Sequence, residues 1–163
     1  MKTLTEITDY PELLSRIEAF FEDSDDDVES EEPLVIFPEY STRQFLNEVY
    51  MPEERYDAIV GLLRTKKNII MQGAPGVGKT YAAKRLAYSM MGVKDASRVM
   101  LVQFHQSYSY EDFIEGFRPN AQGFDLEKGT FYSFCKKAQD DSDNDYFFII
   151  DEINRGNLSK IFG

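Results

Sequence analysis

The chain has 163 residues, with a hydrophobic content of 42% and a charged content of 29%, values typical of one globular domain with a buried core. It contains no run of eighteen apolar residues, no basic-then-apolar leader pattern and a single cysteine, so we expect a cytoplasmic protein with no membrane span and no internal disulfide. Its net charge of −11 argues against direct binding of nucleic acid, because Lys and Arg contacts with phosphates supply most non-specific affinity. Any contact with DNA is therefore expected to pass through another domain or subunit.

Two segments are predicted to precede the folded domain. Residues 1–21 contain an amphipathic helix, Asp9–Phe21, in which Asp9 caps the first turn and Pro11 fits it. Residues 22–39 contain an acidic block, Glu22–Glu32, that has no basic residue. Such a block repels itself and stays solvated, so we interpret it as a linker, with a mimic of nucleic-acid phosphate as the weaker alternative. The folded domain is predicted to occupy residues 40–163.

Helical and strand patterns alternate along the folded domain. The predicted helices are Pro52–Lys67, Thr80–Met91 and Phe131–Gln139, and the predicted buried strands are Asn68–Gln72, Val99–His105 and Tyr146–Asp151. This order predicts an α/β fold in which helices flank a parallel sheet. Gly116–Gly129 is predicted to form a hairpin, since glycines mark its turns. Cys135 lies on the apolar stripe of the last helix, where we expect a packed thiol and not a nucleophile.

A glycine-rich loop joins the first predicted strand to the following helix. The loop residues are Gly73, Ala74, Pro75, Gly76, Val77, Gly78, Lys79 and Thr80, which match the pattern G-x-x-x-x-G-K-[ST] at every fixed position. Glycines let backbone N–H groups approach phosphate oxygens, and the helix N-terminus adds its positive dipole end. Lys79 is predicted to neutralise the β- and γ-phosphates, and the Thr80 hydroxyl to ligate Mg²⁺. A chance match in a flexible turn is the alternative, which the strand before the loop and the helix after it disfavour.

An acidic pair ends the last predicted strand. Asp151 directly follows the apolar run Tyr146–Ile150, where a phosphate-loop enzyme needs a carboxylate for Mg²⁺. Glu152 is the next residue, and consecutive strand residues point to opposite sides. We therefore predict Asp151 as a metal ligand and Glu152 as the general base that polarises water. A solvated strand end is the simpler alternative.

Three further features leave alternatives open. His105, the single histidine, either restrains the catalytic carboxylate or is a structural imidazole. Four aromatic residues either form a base-stacking platform or pack in the core, and the absence of interleaved basic residues favours the core; they are Tyr108, Tyr110, Phe113 and Phe117. Arg155 either reaches a neighbouring subunit's nucleotide or pairs with a local carboxylate, and we favour the local pair.

The sequence from about Tyr40 onward resembles the McrB-type AAA+ NTPases, the motor subunits of modified-cytosine-specific restriction enzymes. The resemblance is carried by three stretches, Lys66–Thr80, Val102–Asn120 and Phe147–Gly163. It implies a ring-forming, hexameric homo-oligomer that hydrolyses ATP or GTP with Mg²⁺ and drives a McrC-like endonuclease subunit on DNA. By position, Lys79 and Glu152 match the family's catalytic residues, and Thr80 and Asp151 match its metal ligands. The sequence contains no motif that decides between ATP and GTP.

The sequence departs from this family at both ends. The segment before the motor domain is shorter than the DNA-reading domain of such enzymes, and the resemblance implies that the sensor, arginine finger and helical lid would lie beyond Gly163. We therefore expect a sheet that is incomplete at the C-terminus and a chain that hydrolyses nucleotide poorly by itself. Two other functions remain open: an AAA+ remodeller of protein complexes, and a module that binds nucleotide without turnover.

Overall fold

The computed structural model of the protein describes residues 36–120 and 123–162. The predicted helix Asp9–Phe21 and the acidic block Glu22–Glu32 lie outside the described residues. The contact pattern groups Phe37–Gly163 into one compact unit.

Three helices form the first part of this unit: α1 Thr42–Val49, α2 Glu53–Lys66 and α3 Lys79–Met91. Ser41 caps α1, because its hydroxyl accepts the Gln44 N–H while the Gln44 side chain accepts the Ser41 N–H. α3 ends at Gly92, whose φ of 76° is the left-handed conformation that glycine adopts without penalty. The helices enclose a first core, made of Tyr40, Phe45, Tyr56 and Leu86. The predicted helices Pro52–Lys67 and Thr80–Met91 are thus confirmed to within a residue.

Strands alternate with short helices in the second part of the unit. After a 3₁₀ turn at Ala96–Arg98, the elements are β1 Val99–Gln103, α4 Tyr110–Phe113, β2 Glu115–Asn120, β3 Gly123–Lys128, α5 Thr130–Asp140, β4 Phe147–Asp151, a second 3₁₀ turn at Ile153–Arg155, and α6 Leu158–Phe162. Phe104, Phe113 and Ile161 are buried at the centre of a second core. No helix of the described part of the chain is long and apolar enough to cross a membrane.

β1 and β4 pair in parallel, with Val99 opposite Phe147 and Gln103 opposite Asp151. The two strands therefore end at the same edge of the sheet, which places Asp151 at their carboxyl ends. With helices flanking this parallel pair, the predicted α/β class is confirmed. All five residues of β4 are half-buried, not fully buried as predicted, because β1 is the one strand that pairs with it in the described part of the chain.

The prediction of a buried strand at Asn68–Gln72 is wrong. The segment has no strand conformation, and the Ile70 side chain is 87% exposed. A strand is maintained by ladder hydrogen bonds, and no segment within residues 36–120 or 123–162 provides them to Asn68–Gln72. Apolar character alone is therefore insufficient to make this segment a strand.

The predicted hairpin is confirmed. β2 and β3 pair antiparallel, with Glu115 opposite Lys128 and Asn120 opposite Gly123. The expectation that the nearby aromatic residues pack in the core holds for Phe113, which is buried, but is wrong for Tyr110 and Phe117, which are exposed. Phe113 lies on α4 under Phe131 and Phe148, whereas Phe117 lies on a strand with no layer over it.

The expectation of a packed Cys135 is also wrong, since this residue is exposed. The apolar stripe of α5 is centred on Phe134, which is buried against Tyr146 and Phe148, and Cys135 lies at the edge of that stripe. Partial burial of the sulfur nevertheless raises the pKa of the Cys135 thiol, which disfavours the nucleophilic thiolate.

Candidate nucleotide site

The glycine-rich loop leads directly into α3. Gly76 and Gly78 have φ angles of 80° and 81°, in the left-handed region that a side chain disfavours. Gly78 is the N-cap of α3, and no side chain caps the helix. The first backbone N–H groups of α3 consequently remain available to an anion, as they are in known phosphate-binding loops.

Lys79 folds back over the loop. Its Nζ donates hydrogen bonds to the carbonyl oxygens of Gly73 at 3.0 Å and Ala74 at 2.9 Å. The ammonium group therefore lies above the same backbone that would surround a phosphate. These carbonyl partners were not predicted, because backbone acceptors leave no mark in the residue pattern.

Thr80 and Asp151 come together although they are 71 residues apart in the chain. The Thr80 hydroxyl donates to Asp151 Oδ2 at 2.8 Å, and Asp151 Oδ1 accepts the Glu152 backbone N–H at 2.9 Å. The pairing follows from the fold, since Thr80 lies in the first turn of α3 and Asp151 at the end of β4. A hydroxyl and a carboxylate oxygen at this distance are the donor types that Mg²⁺ takes alongside phosphate oxygens and water.

Glu152 lies just beyond β4 and not on it, so the predicted strand alternation does not place its side chain. Its φ of 52° and ψ of 41° are left-handed, an uncommon conformation for a non-glycine residue that is found at functional sites. Arg155, at the end of the following 3₁₀ turn, contacts Glu152 twice. Its backbone N–H donates to the Glu152 carbonyl at 2.8 Å, and its side-chain Nε lies 3.1 Å from Glu152 Oε2. The predicted local pairing of Arg155 with a carboxylate is therefore present.

His105 lies after β1, on the side of the molecule where the strands end. Its ring is exposed and meets the Tyr108 ring edge-on at a centroid distance of 5.5 Å. Among the described residues, its imidazole makes no hydrogen bond to a side chain. The two roles that the sequence left open for His105 stay predictions.

Two comparisons with known proteins agree with this geometry. The family model "AAA domain (dynein-related subfamily)" matches residues 68–163, from the segment before the glycine-rich loop through the Asp151–Glu152 pair. A relative from Escherichia coli (strain K12), the "Type IV methyl-directed restriction enzyme EcoKMcrB subunit", is 56% identical over 124 residues. The aligned region covers 76% of this chain and 27% of the relative, so the chain spans about a quarter of that protein. Since the family model matches more than half of the sequence, the chain belongs to the AAA family. The similarity to the McrB subunit supports a McrB-type AAA+ NTPase.

Proposed function

We propose that this chain binds a Mg²⁺–nucleoside triphosphate, ATP or GTP, and hydrolyses it as part of an AAA+ motor subunit. The observation that carries the proposal is the 2.8 Å hydrogen bond to Asp151 from Thr80, the residue that follows Lys79 in the chain. It joins two sequence motifs that lie 71 residues apart in the chain. Structural packing alone gives no reason for a hydroxyl, a carboxylate and an ammonium group to gather at an exposed glycine-rich loop.

Each residue of the site has a distinct role in this proposal. The N–H groups of Gly76, Gly78 and the first turn of α3 bind the phosphate oxygens. Lys79 exchanges its two carbonyl partners for the β- and γ-phosphates, a stronger charge-assisted interaction. Thr80 and Asp151 hold the Mg²⁺, which, when bound, neutralises charge on the phosphate oxygens.

Glu152 then accepts a proton from the attacking water as general base. Its backbone N–H donates to Asp151 Oδ1, which keeps the residue next to the metal-binding end of β4. Before Glu152 can act as a base, its carboxylate has to break the ion pair with Arg155 or bind a water molecule in addition to it.

A nucleotide-binding module without turnover is the second candidate. The ion pair between Glu152 and Arg155 favours it, because a carboxylate engaged by a guanidinium is less available to a water molecule. Both candidates need the phosphate loop, so they differ in turnover and not in affinity.

The wider assembly is proposed from the relative. The name of that relative describes a subunit of a methyl-directed restriction enzyme. We propose that this chain likewise belongs to a homo-oligomeric ring, hexameric by the family resemblance, that drives a McrC-like endonuclease subunit. With a net charge of −11, the chain is expected to meet DNA through another domain or subunit and not directly.

Substitution of Glu152 tests the catalytic part of the proposal. Glu152→Gln keeps the shape of the side chain and removes its basicity, so in the assembled motor subunit we expect it to bind ATP or GTP like the unsubstituted subunit but to release phosphate at least about a hundredfold more slowly. Phosphate release at saturating nucleotide and calorimetric binding measure the two quantities. Glu54→Gln, on the exposed face of α2, is the matched control.

Three outcomes separate the candidates. Turnover that is lost in Glu152→Gln and kept in Glu54→Gln supports hydrolysis with Glu152 as the base. Binding without turnover in all three proteins supports the binding module. Normal turnover in Glu152→Gln would remove Glu152 from the catalytic role.

A further inference from the structure

An exposed aromatic residue follows the glycine-rich loop Gly73–Thr80. This residue, Tyr81, lies in the first turn of α3 and is 44% exposed. The guanidinium of Arg85, one turn further along the helix, covers one face of its ring, with Cζ 3.2 Å from the ring centroid. The exposed remainder of the ring is accessible to a ligand, and the cation behind it strengthens the aromatic surface.

Arg85 is held in place from α1. It forms an ion pair with Glu48, and Glu48 Oε2 accepts a hydrogen bond at 3.0 Å from the hydroxyl of Tyr40, which is buried in the first core. The hydrogen bond from Arg85, together with that from Tyr40, holds the pKa of the Glu48 carboxyl below its ordinary value, so the ion pair persists at neutral pH. The Tyr81 ring is therefore backed by a group that is anchored to the core, which lowers the entropic cost of binding a ligand.

The sides of α3 face different parts of the molecule. Thr80 faces β4, where its hydroxyl donates to Asp151. Tyr81 is about 100° further round the helix and shares a side with Arg85, four residues on, which pairs with α1. Tyr81 thus lies on the α1 side of the loop, whereas the Asp151–Glu152 pair lies on the β4 side.

This arrangement determines the direction of a bound triphosphate. In the proposed function Glu152 activates the water that attacks the γ-phosphate, so the γ end has to lie on the β4 side of the loop. The nucleoside is attached to the opposite, α end. It consequently leaves the loop away from β4, where Tyr81 offers an exposed aromatic ring.

We propose that the Tyr81 ring, backed by Arg85, stacks on the nucleoside of the bound triphosphate. The inference rests on the proposed nucleotide binding and deepens it by assigning the residue that contacts the base. Every base has a π face, so this contact adds affinity for ATP and GTP alike. A cation–aromatic pair that merely stabilises α3 is the alternative, and it predicts no effect on a ligand.

Inorganic tripolyphosphate separates the nucleoside contact from the phosphate contacts, because it has neither base nor ribose. We expect Tyr81→Ala to weaken binding of ATP and of GTP, each with Mg²⁺, by at least about fivefold and to leave binding of Mg²⁺–tripolyphosphate unchanged. Tyr81→Phe keeps the ring and should bind all three ligands like the unsubstituted protein. Calorimetry measures the affinities, and circular dichroism checks that the fold is kept.

Tyr132→Ala is the matched control. Tyr132 is an exposed tyrosine of α5, and the Lys128 ammonium lies 4.5 Å from the centroid of its ring, so it repeats the cation–aromatic pair on a different helix. We expect Tyr132→Ala to bind ATP, GTP and tripolyphosphate like the unsubstituted protein.

Two results would overturn the proposal. The first is an affinity for ATP and GTP that Tyr81→Ala leaves unchanged, and the second is an equal loss of tripolyphosphate binding, which would mean that the substitution disturbs the loop itself. Lys79→Ala tests the proposed function separately, because it should weaken binding of all three ligands. Tripolyphosphate binding that depends on Lys79, with nucleotide binding indifferent to Tyr81→Ala, would remove the nucleoside contact alone, whereas failure of the unsubstituted protein to bind any of the three ligands would contradict the proposed function as well.

Discussion

Asp151 connects the glycine-rich loop Gly73–Thr80 to the acidic pair at the end of β4. One of its carboxylate oxygens accepts the Thr80 hydroxyl and the other accepts the Glu152 backbone N–H. The carboxylate is thereby fixed in position by the Thr80 hydroxyl of α3 and by the backbone N–H of Glu152, the next residue in the chain. A metal ligand held in this way needs little rearrangement when nucleotide and Mg²⁺ arrive, so we expect the site to lose function when either hydrogen-bonded oxygen is removed.

Asp151→Asn and Thr80→Val should reduce the gain in nucleotide affinity that Mg²⁺ provides by about ten- to a hundredfold. Hydrogen bonds to charged groups contribute about 1.5–3 kcal/mol, and about 1.4 kcal/mol corresponds to a tenfold change in affinity. Calorimetry with and without Mg²⁺ measures this gain. Asp143→Asn, an exposed aspartate before β4, is the control. An undiminished Mg²⁺ effect in Asp151→Asn would show that the metal binds elsewhere.

At the scale of elements, the hairpin is joined to α4 by contacts that leave no room for side chains. A Cβ at Gly129 would lie 2.4 Å from the Phe113 carbonyl carbon, whereas a Cβ at Gly61, on the exposed side of α2, meets nothing within 4 Å. The two glycines therefore have different roles. Gly129 permits a close approach of backbones, and Gly61 merely weakens a helix.

We expect Gly129→Ala to lower the free energy of unfolding by about 1–3 kcal/mol, since the backbone of α4 has to move. Gly61→Ala is expected to raise it by about 0.5–1 kcal/mol, because alanine is the better helix former. Denaturant unfolding measures both changes. Equal effects of the two substitutions would mean that the close approach at Gly129 does not hold the hairpin in place.

Elements whose identity depends on local chemistry could be predicted from the sequence. The glycine-rich loop, the helix after it and the turn at Gly92 follow from glycine conformation and helix ends, and the position of Asp151 follows from the parallel strand before it. The exposure of Ile70 and Phe117 could not be predicted, because it depends on which segments lie against them. The same holds for Cys135, since the apolar stripe of α5 shows which residues share a face but not where its centre lies.

At the scale of the whole molecule, the candidate nucleotide site lies between two cores. One core is enclosed by α1, α2 and α3, the other by the strands with α4 and α6, and α3 contacts β4 between them. Asn68–Gln72 leads into the phosphate loop at this junction, yet it makes no backbone hydrogen bond among the described residues. The segment that positions the loop is thus the least restrained part of the junction.

Hydrogen exchange should reveal this difference in restraint. We expect the amides of Asn68–Gln72 to exchange at least about a hundredfold faster than those of Val99–Gln103, because exposed and unpaired amides need no opening before they exchange. Peptide-resolved mass spectrometry measures both segments in one sample, with α2 as a protected reference. Equal protection of Asn68–Gln72 and Val99–Gln103 would show that the first segment is paired in solution.

The most direct test of the nucleotide site is the affinity of Lys79→Ala for ATP and GTP with Mg²⁺, measured by calorimetry. The substitution deletes the ammonium group and no core atoms, so we expect the fold to be kept, as circular dichroism would show, and triphosphate affinity to fall by at least about tenfold. Lys136→Ala, which removes an exposed lysine of α5, should bind like the unsubstituted protein. An affinity of Lys79→Ala equal to that of Lys136→Ala would contradict the assignment of Gly73–Thr80 as the phosphate-binding loop.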